Sequence, residues 1–212
     1  MKLRLVSALA VVLILSASTA FGATSIAVVG AAALEGSFGM RVTFSGGGDA
    51  YVQDNSPNNE GAYFASFKMR DDALTLQNFD QFQVLRATGA EDGSNLVFQV
   101  KIINTIPNVG GTDYAIWVVP RLDDGSFGTR IATFVKPGTH TYTAEFHKSS
   151  APGANDGSCK IYRDSVLKMQ NNTYDNDTKT VNAVRFGAIG VSATATGVLD
   201  LDSFVSTRTP QF

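Results

Sequence analysis

Asp200 and Asp202 stand two residues apart, a spacing that puts two carboxylates on one face of a strand. Such a pair could flank a glycosidic bond, where hydrolysis needs two acids at a defined separation. It could equally sit on a solvated end strand or share a structural calcium ion. The glutamates, Glu35, Glu60, Glu91 and Glu145, are scattered and supply no second pair. His140 and His147 are the only histidines, and His147 beside Glu145 reads as a solvent-facing strand edge. No Gly-x-Ser-x-Gly elbow, glycine-rich phosphate loop or zinc spacing occurs. Acidic turns at Asp54-Asn55, Asp123-Asp124, Asn155-Asp156 and Asp175-Asn176-Asp177 carry hard oxygens of the kind calcium takes, without forming a complete calcium loop.

Aromatic rings are the other chemistry on offer, since an exposed ring can stack on a sugar. Tyr51, Trp117, Phe127, Tyr162 and Tyr174 are the candidates. Trp117 falls in the apolar run Tyr114–Val119, which assigns it to the core with both strand faces covered. Tyr162 alternates away from Cys159 and Ile161, and Tyr174 and Tyr51 border polar turns. Tyr162, Tyr174 and Tyr51 are therefore the expected ligand-binding residues, and no catalytic residue is expected.

The elements that must position them follow a leader. Lys2 and Arg4, the apolar Leu5–Leu15 and the small residues Ser16–Gly22 form a secretion signal over residues 1–22. An apolar run this short is poorly matched to the roughly 20 residues of a membrane span. No second such run follows, so the expectation is an exported protein without an anchor. Losing Lys2 and Arg4 leaves 15 basic residues against 19 acidic ones, a formal charge of −4. With no linear Lys/Arg cluster, that balance argues against nucleic acid and anionic membranes. Residues 23–212 suit one domain able to bury a core without disulfides. The single Cys159 cannot pair within the chain; it reads as a buried hydrophobe, with an intermolecular bridge as the alternative.

From Ser25 onward, short runs rich in Val, Ile, Phe, Tyr and Thr recur between Gly, Asn, Asp and Pro clusters. Ala62–Arg70 alternates with Tyr63, Ala65, Phe67 and Met69 on one face, and Leu96–Ile103 with Gln99 and Lys101 opposite its apolar residues. Asp71–Asn78 fits either a helical turn or a loop, and Asn171–Asp177 a polar loop. About a dozen strands with hairpin-length connections predict an all-β, two-sheet antiparallel sandwich of jelly-roll type.

Four segments carry a resemblance. YVQDNSPNNE at Tyr51–Glu60, SSAPGANDGS at Ser149–Ser158, YDNDTKTVNAVRFGAIG at Tyr174–Gly190 and LDLDSF at Leu199–Phe204 resemble, in order, the concanavalin A-like (laminin-G-like) jelly-roll modules of bacterial secreted and surface proteins. The likeness implies a binding module more than an activity. Related carbohydrate-binding sandwiches pair an early acid with a late Asp for calcium; Asp200 or Asp202 could be the late one, and the early partner is missing from Ala23–Leu34. The Asp-Gly turn usual in these modules is Asp164-Ser165 here, which should accept positive φ less well. The Glu-x-Asp-x-x-Glu motif of laminarinase-type enzymes and the Gln-x-His of alginate-lyase-like ones are absent. Three readings follow, in order. The first is a non-catalytic module binding a polysaccharide or surface glycan. The second is a structural protein that oligomerises or assembles through strand edges, and the last a polysaccharide hydrolase or lyase using Asp200 and Asp202.

Overall fold

Alternating apolar residues turn most of this chain into strands. The computed structural model describes residues 23–105 and 114–210. The secretion signal expected over residues 1–22 lies outside the described residues. Among them, thirteen strands run in order: β1 Ser25–Val29, β2 Gly39–Ser45, β3 Ala50–Asp54, β4 Ala62–Thr75, β5 Gln81–Thr88, β6 Leu96–Asn104, β7 Tyr114–Pro120, β8 Ile131–Phe134, β9 His140–His147, β10 Gly157–Arg163, β11 Val166–Tyr174, β12 Ala183–Ile189 and β13 Thr196–Thr207. A seven-stranded sheet has the order β1-β2-β13-β4-β9-β10-β11, and a six-stranded sheet the order β3-β12-β5-β6-β7-β8. Every pairing is antiparallel. The two-sheet sandwich expected from the sequence is the fold observed.

Its core lies between the inward faces. Tyr63, Phe67 and Met69 of β4, Tyr142 and Phe146 of β9, and Phe98, Val100 and Ile102 of β6 are all buried there. Phe98 and Phe146 stack across the two sheets with ring centres 5.2 Å apart and planes 7° from parallel. Each such ring contributes about 2–3 kcal/mol by leaving water. Cys159 is fully buried among these groups, and burial pushes its thiol pKa up, so it acts as a small hydrophobe.

Three local outcomes differ from expectation, the first being that Asn171–Tyr174, read as the start of a polar loop, is the end of β11 paired to β10. Asp71–Asn78 is neither helix nor simple loop: β4 runs on to Thr75, because Leu74 and Leu76 are buried and anchor the extension. The chain then turns where Asp80 accepts the Gln77 N–H at 2.9 Å. The Asp164-Ser165 turn does take positive φ at both positions, +51° and +62°. Its aspartate makes this tolerable: the carboxylate accepts the Thr141 N–H at 3.0 Å and meets His140 Nδ1 at 2.7 Å. Those local hydrogen bonds offset the strain a glycine would have avoided.

Asp71 gives the fold a measurable pH response. Burial first, then the nearby Asp72, pushes its carboxyl pKa up to about 6, with His140 opposing. A raised carboxyl favours the protonated native form, so its contribution is complete below about pH 4 and is lost as pH rises through 6. Allowing for partial solvent screening, the loss is on the order of 1–2 kcal/mol. Urea unfolding of parent and Asp71→Asn should therefore diverge between pH 4 and 6 in favour of the variant, then run parallel. A constant difference across that window would refute the assignment.

Candidate functional site

The core claims Phe98, Val100 and Ile102 of β6, so Gln99 and Lys101 between them must face outward. Register then builds two rows on the outer face of the six-stranded sheet. Gln53 pairs with Arg185, Arg185 with Arg86, Arg86 with Gln99 and Gln99 with Val119. Beside that row, Gln83 pairs with Lys101, Lys101 with Trp117 and Trp117 with Ala132. The strand that packs the core thus presents a polar and aromatic surface behind it.

One end of the face is tied down. Arg185 donates to Gln53 Oε1 and to the Asp92 carbonyl, both at 2.8 Å, and lies 4.7 Å from the centre of the Tyr51 ring. Arg86 donates to the Gly93 carbonyl at 3.3 Å, so two guanidinia hold the turn between β5 and β6 against the sheet. Gly93 takes φ +86°, and a Cβ there would meet the Arg185 guanidinium at 2.4 Å, so a side chain would displace that guanidinium from the turn. Arg86 Nε is buried without a hydrogen-bond partner among the described residues. Burial, then repulsion from Arg185, lowers the pKa of Arg86.

The other end is open. A depression of about 720 Å³ is lined by Gln99, Lys101, Phe127, Thr129 and Met169. A second, of about 480 Å³, is lined by Phe79, Ile103 and Phe134. Trp117, Arg130 and Ala132 border both and form the ridge between them. The Arg130 guanidinium lies 4.1 Å from the centre of the Trp117 ring. Gln99 is only 2% exposed, at the floor. Lys101 donates to Gln81 Oε1 at 3.3 Å, and burial holds its pKa below the usual lysine range. Among the described residues, no acidic side chain lines either depression.

Trp117 corrects the sequence reading, which placed it in the core with both faces covered. The core lies on one side of β7 only; on the other the ring is half-buried beneath Arg130. Tyr174 is corrected the other way. It is 2% exposed and donates its hydroxyl to the Thr129 carbonyl at 2.6 Å, so it packs and offers no platform. Tyr51 reaches the tied end of the face under Arg185. Tyr162 lies on the seven-stranded sheet, on the opposite side of the molecule, next to the Lys160–Glu145 ion pair of 3.1 Å. The three expected tyrosines therefore form no common site.

His147 is likewise no edge residue. β9 is paired on both sides, and the half-buried imidazole packs edge-on to Phe64 at 5.2 Å, its pKa lowered by burial. Asp200 and Asp202 are separated by their partners. Asp200 accepts Arg41 through both oxygens, Nε at 2.7 Å and Nη2 at 3.0 Å, and Arg70 at 2.6 Å on the second of them. Asp202 accepts the Leu34 and Glu35 N–H groups at 2.8 Å. Through these contacts Asp200 ties β13 to β2 and β4, and Asp202 ties it to the segment before β2. The described acids that do converge are Asp123, Asp175 and Asp177, with oxygens within 4.8 Å. Asp123 there accepts Thr178 Oγ1, and its hydrogen bond to Asp177 pushes the Asp177 carboxyl upward.

No protein-family profile matches the chain, and no curated protein matches it. Solved structures do. The receptor-binding domain of botulinum neurotoxin type G superposes with a TM-score of 0.57 at 11% identity, over 85% of this chain and 40% of its own. The serotype D binding domain gives 0.57 at 10%, over 88% and 44%. The cellulose-induced protein Cip1 gives 0.57 at 14%, over 92% and 90%. The chain thus spans less than half of the matched neurotoxin domains and nearly all of Cip1. At such identities the likeness is one of fold: a two-sheet antiparallel β-sandwich.

Proposed function

We propose that this is an exported, non-catalytic sandwich module of concanavalin A-like type that binds carbohydrate on the outer face of its six-stranded sheet. The observation that carries the reading is Trp117, half-buried between two depressions with the hydrogen-bonding groups of Gln99, Lys101 and Arg130 around it. A long shallow groove with an aromatic ridge and convergent donors suits an extended polymer better than a compact small molecule. The absence of acids along the described groove supports binding without hydrolysis, which needs two carboxylates across the bond. A receptor-binding domain and a cellulose-induced protein share the fold, which is compatible with this reading and does not choose a ligand.

Affinity electrophoresis of residues 23–212 through gels containing a panel of soluble polysaccharides tests it. At least one polymer should retard the parent, and Trp117→Ala should weaken that retention roughly tenfold or more while leaving the circular dichroism unchanged. Retention by no polymer, or indifference to Trp117→Ala, would refute the site. A second reading, assembly through a strand edge, rests on β11, the outermost strand of its sheet, where Val166 is 55% exposed and Met169 44%. Under that reading the same sample has a light-scattering mass well above one chain and shows no polysaccharide retention.

A further inference from the structure

We infer that the groove selects a carboxylated polysaccharide, a polymer of uronic acid units, over neutral glycans. The inference rests on the binding reading above and adds the sign of the ligand's charge. Lys101 and Arg130 are the charged side chains among the described residues of the two depressions, and both are cations. Neither makes an ion pair within the described structure; the lysines and arginines that do are Arg41, Lys68, Arg70, Lys160 and Arg208. On the same sheet face Arg86 and Arg185 add positive charge beside Gln99, although the chain as a whole carries a formal charge of −2. The local sign therefore opposes the global one, an arrangement that concentrates an anion at the groove.

Lys101 is held in a poor environment for a cation. Its ammonium is half-buried, its one described partner is the neutral Gln81 amide, and no carboxylate compensates it. A ligand carboxylate would supply the missing charge. Arg130 points to the same chemistry. Its guanidinium covers the Trp117 ring at 4.1 Å, so a sugar entering from that side meets a cationic plane, not bare indole. Stacking leaves the in-plane N–H donors of a guanidinium directed outward, the geometry that receives a carboxylate edge-on. The register pairs Lys101 with Trp117, and Arg130 lies over that ring, so both cations line the same depression as the indole. Two charges set among Val119, Ala132, Phe127 and Phe134 suit a chain alternating carboxylates with apolar ring faces. A nucleic acid, with a phosphate at every unit, calls for a longer basic stripe than this groove provides.

The test compares polygalacturonate with the same polymer after chemical reduction of its carboxyl groups, in affinity gels with the parent, Lys101→Gln and Arg130→Gln. The parent should bind polygalacturonate at least tenfold more tightly than the reduced polymer, and each variant should lose roughly tenfold for the acidic polymer and clearly less for the reduced one, so that the preference shrinks. Raising the salt from 50 to 500 mM should weaken the acidic interaction in the parent and less so in the variants. Equal binding of both polymers overturns the charge selectivity and leaves the carbohydrate site standing. Binding of neither polymer, with another neutral glycan retained, overturns it in the same way; retention by nothing overturns both. Single-stranded DNA bound as tightly as polygalacturonate would show a site for bare polyanions and overturn the assignment to sugar acids.

Discussion

Phe98→Ala is expected to lower the unfolding free energy by about 3–5 kcal/mol. Phe98 is fully buried on β6, stacked on Phe146 of the other sheet at 5.2 Å and tilted against Tyr63 at 6.2 Å. Its neighbours belong to two sheets, each fixed by its own hydrogen-bond ladder, so they cannot move together to fill the space. The cavity therefore stays open and adds to the lost transfer energy. For a domain of this size the same loss lowers the melting temperature by about 10 °C. Urea denaturation with an unchanged slope should show it; a loss below about 1 kcal/mol would mean that the core collapses onto the gap.

A comparable effect is expected at a position with no side chain. Gly197 sits in β13 between β2 and β4 with φ +93°, opposite Phe44 and Leu74. A Cβ there would lie 2.0 Å from the Ala73 carbonyl oxygen. That atom is backbone within a ladder, so no rotamer change relieves the clash. Gly197→Ala combines a disfavoured φ with overpacking, together about 3 kcal/mol or more. Thermal melting of this variant against the parent measures it. A variant as stable as the parent would require β13 to shift register locally, which would show as altered protection of the Asp200 amide in hydrogen exchange.

How much of this was legible in one dimension depends on the direction in which a feature runs. Features along a strand could be read. The alternation of Tyr63, Phe67 and Met69, or of Phe98, Val100 and Ile102, follows from burying one face, and it led to the sandwich. Gln99 and Lys101 were visible as the polar side of that alternation. Features running across strands could not be read. The row Gln53, Arg185, Arg86, Gln99 joins residues up to 132 positions apart, brought together by pairings that composition does not encode. For the same reason the chain contains no linear basic cluster and still presents a basic face. Trp117 misled because Tyr114–Val119 is continuously apolar, a pattern equally suited to a strand covered on both faces and to one whose outer face carries a groove. Tyr174 misled because a polar neighbourhood in sequence does not report where the ring points; the Thr129 carbonyl decides that.

The placement of β13 also has a consequence for how the molecule comes into being. The last of the described strands lies in the middle of its sheet, between β2 and β4. Until it has emerged, β1 and β2 have no hydrogen-bonded link to the rest of that sheet, and β4 keeps one edge unpaired. Completion of the sheet therefore waits for β13 and depends on joining sequence-distant segments, a slow class of topology. A nascent chain of this protein must be kept from pairing that open gap with a neighbour. A premature stop that removes β13 would leave two half-sheets around a vacant slot, a template for aggregation in place of a shortened but working protein.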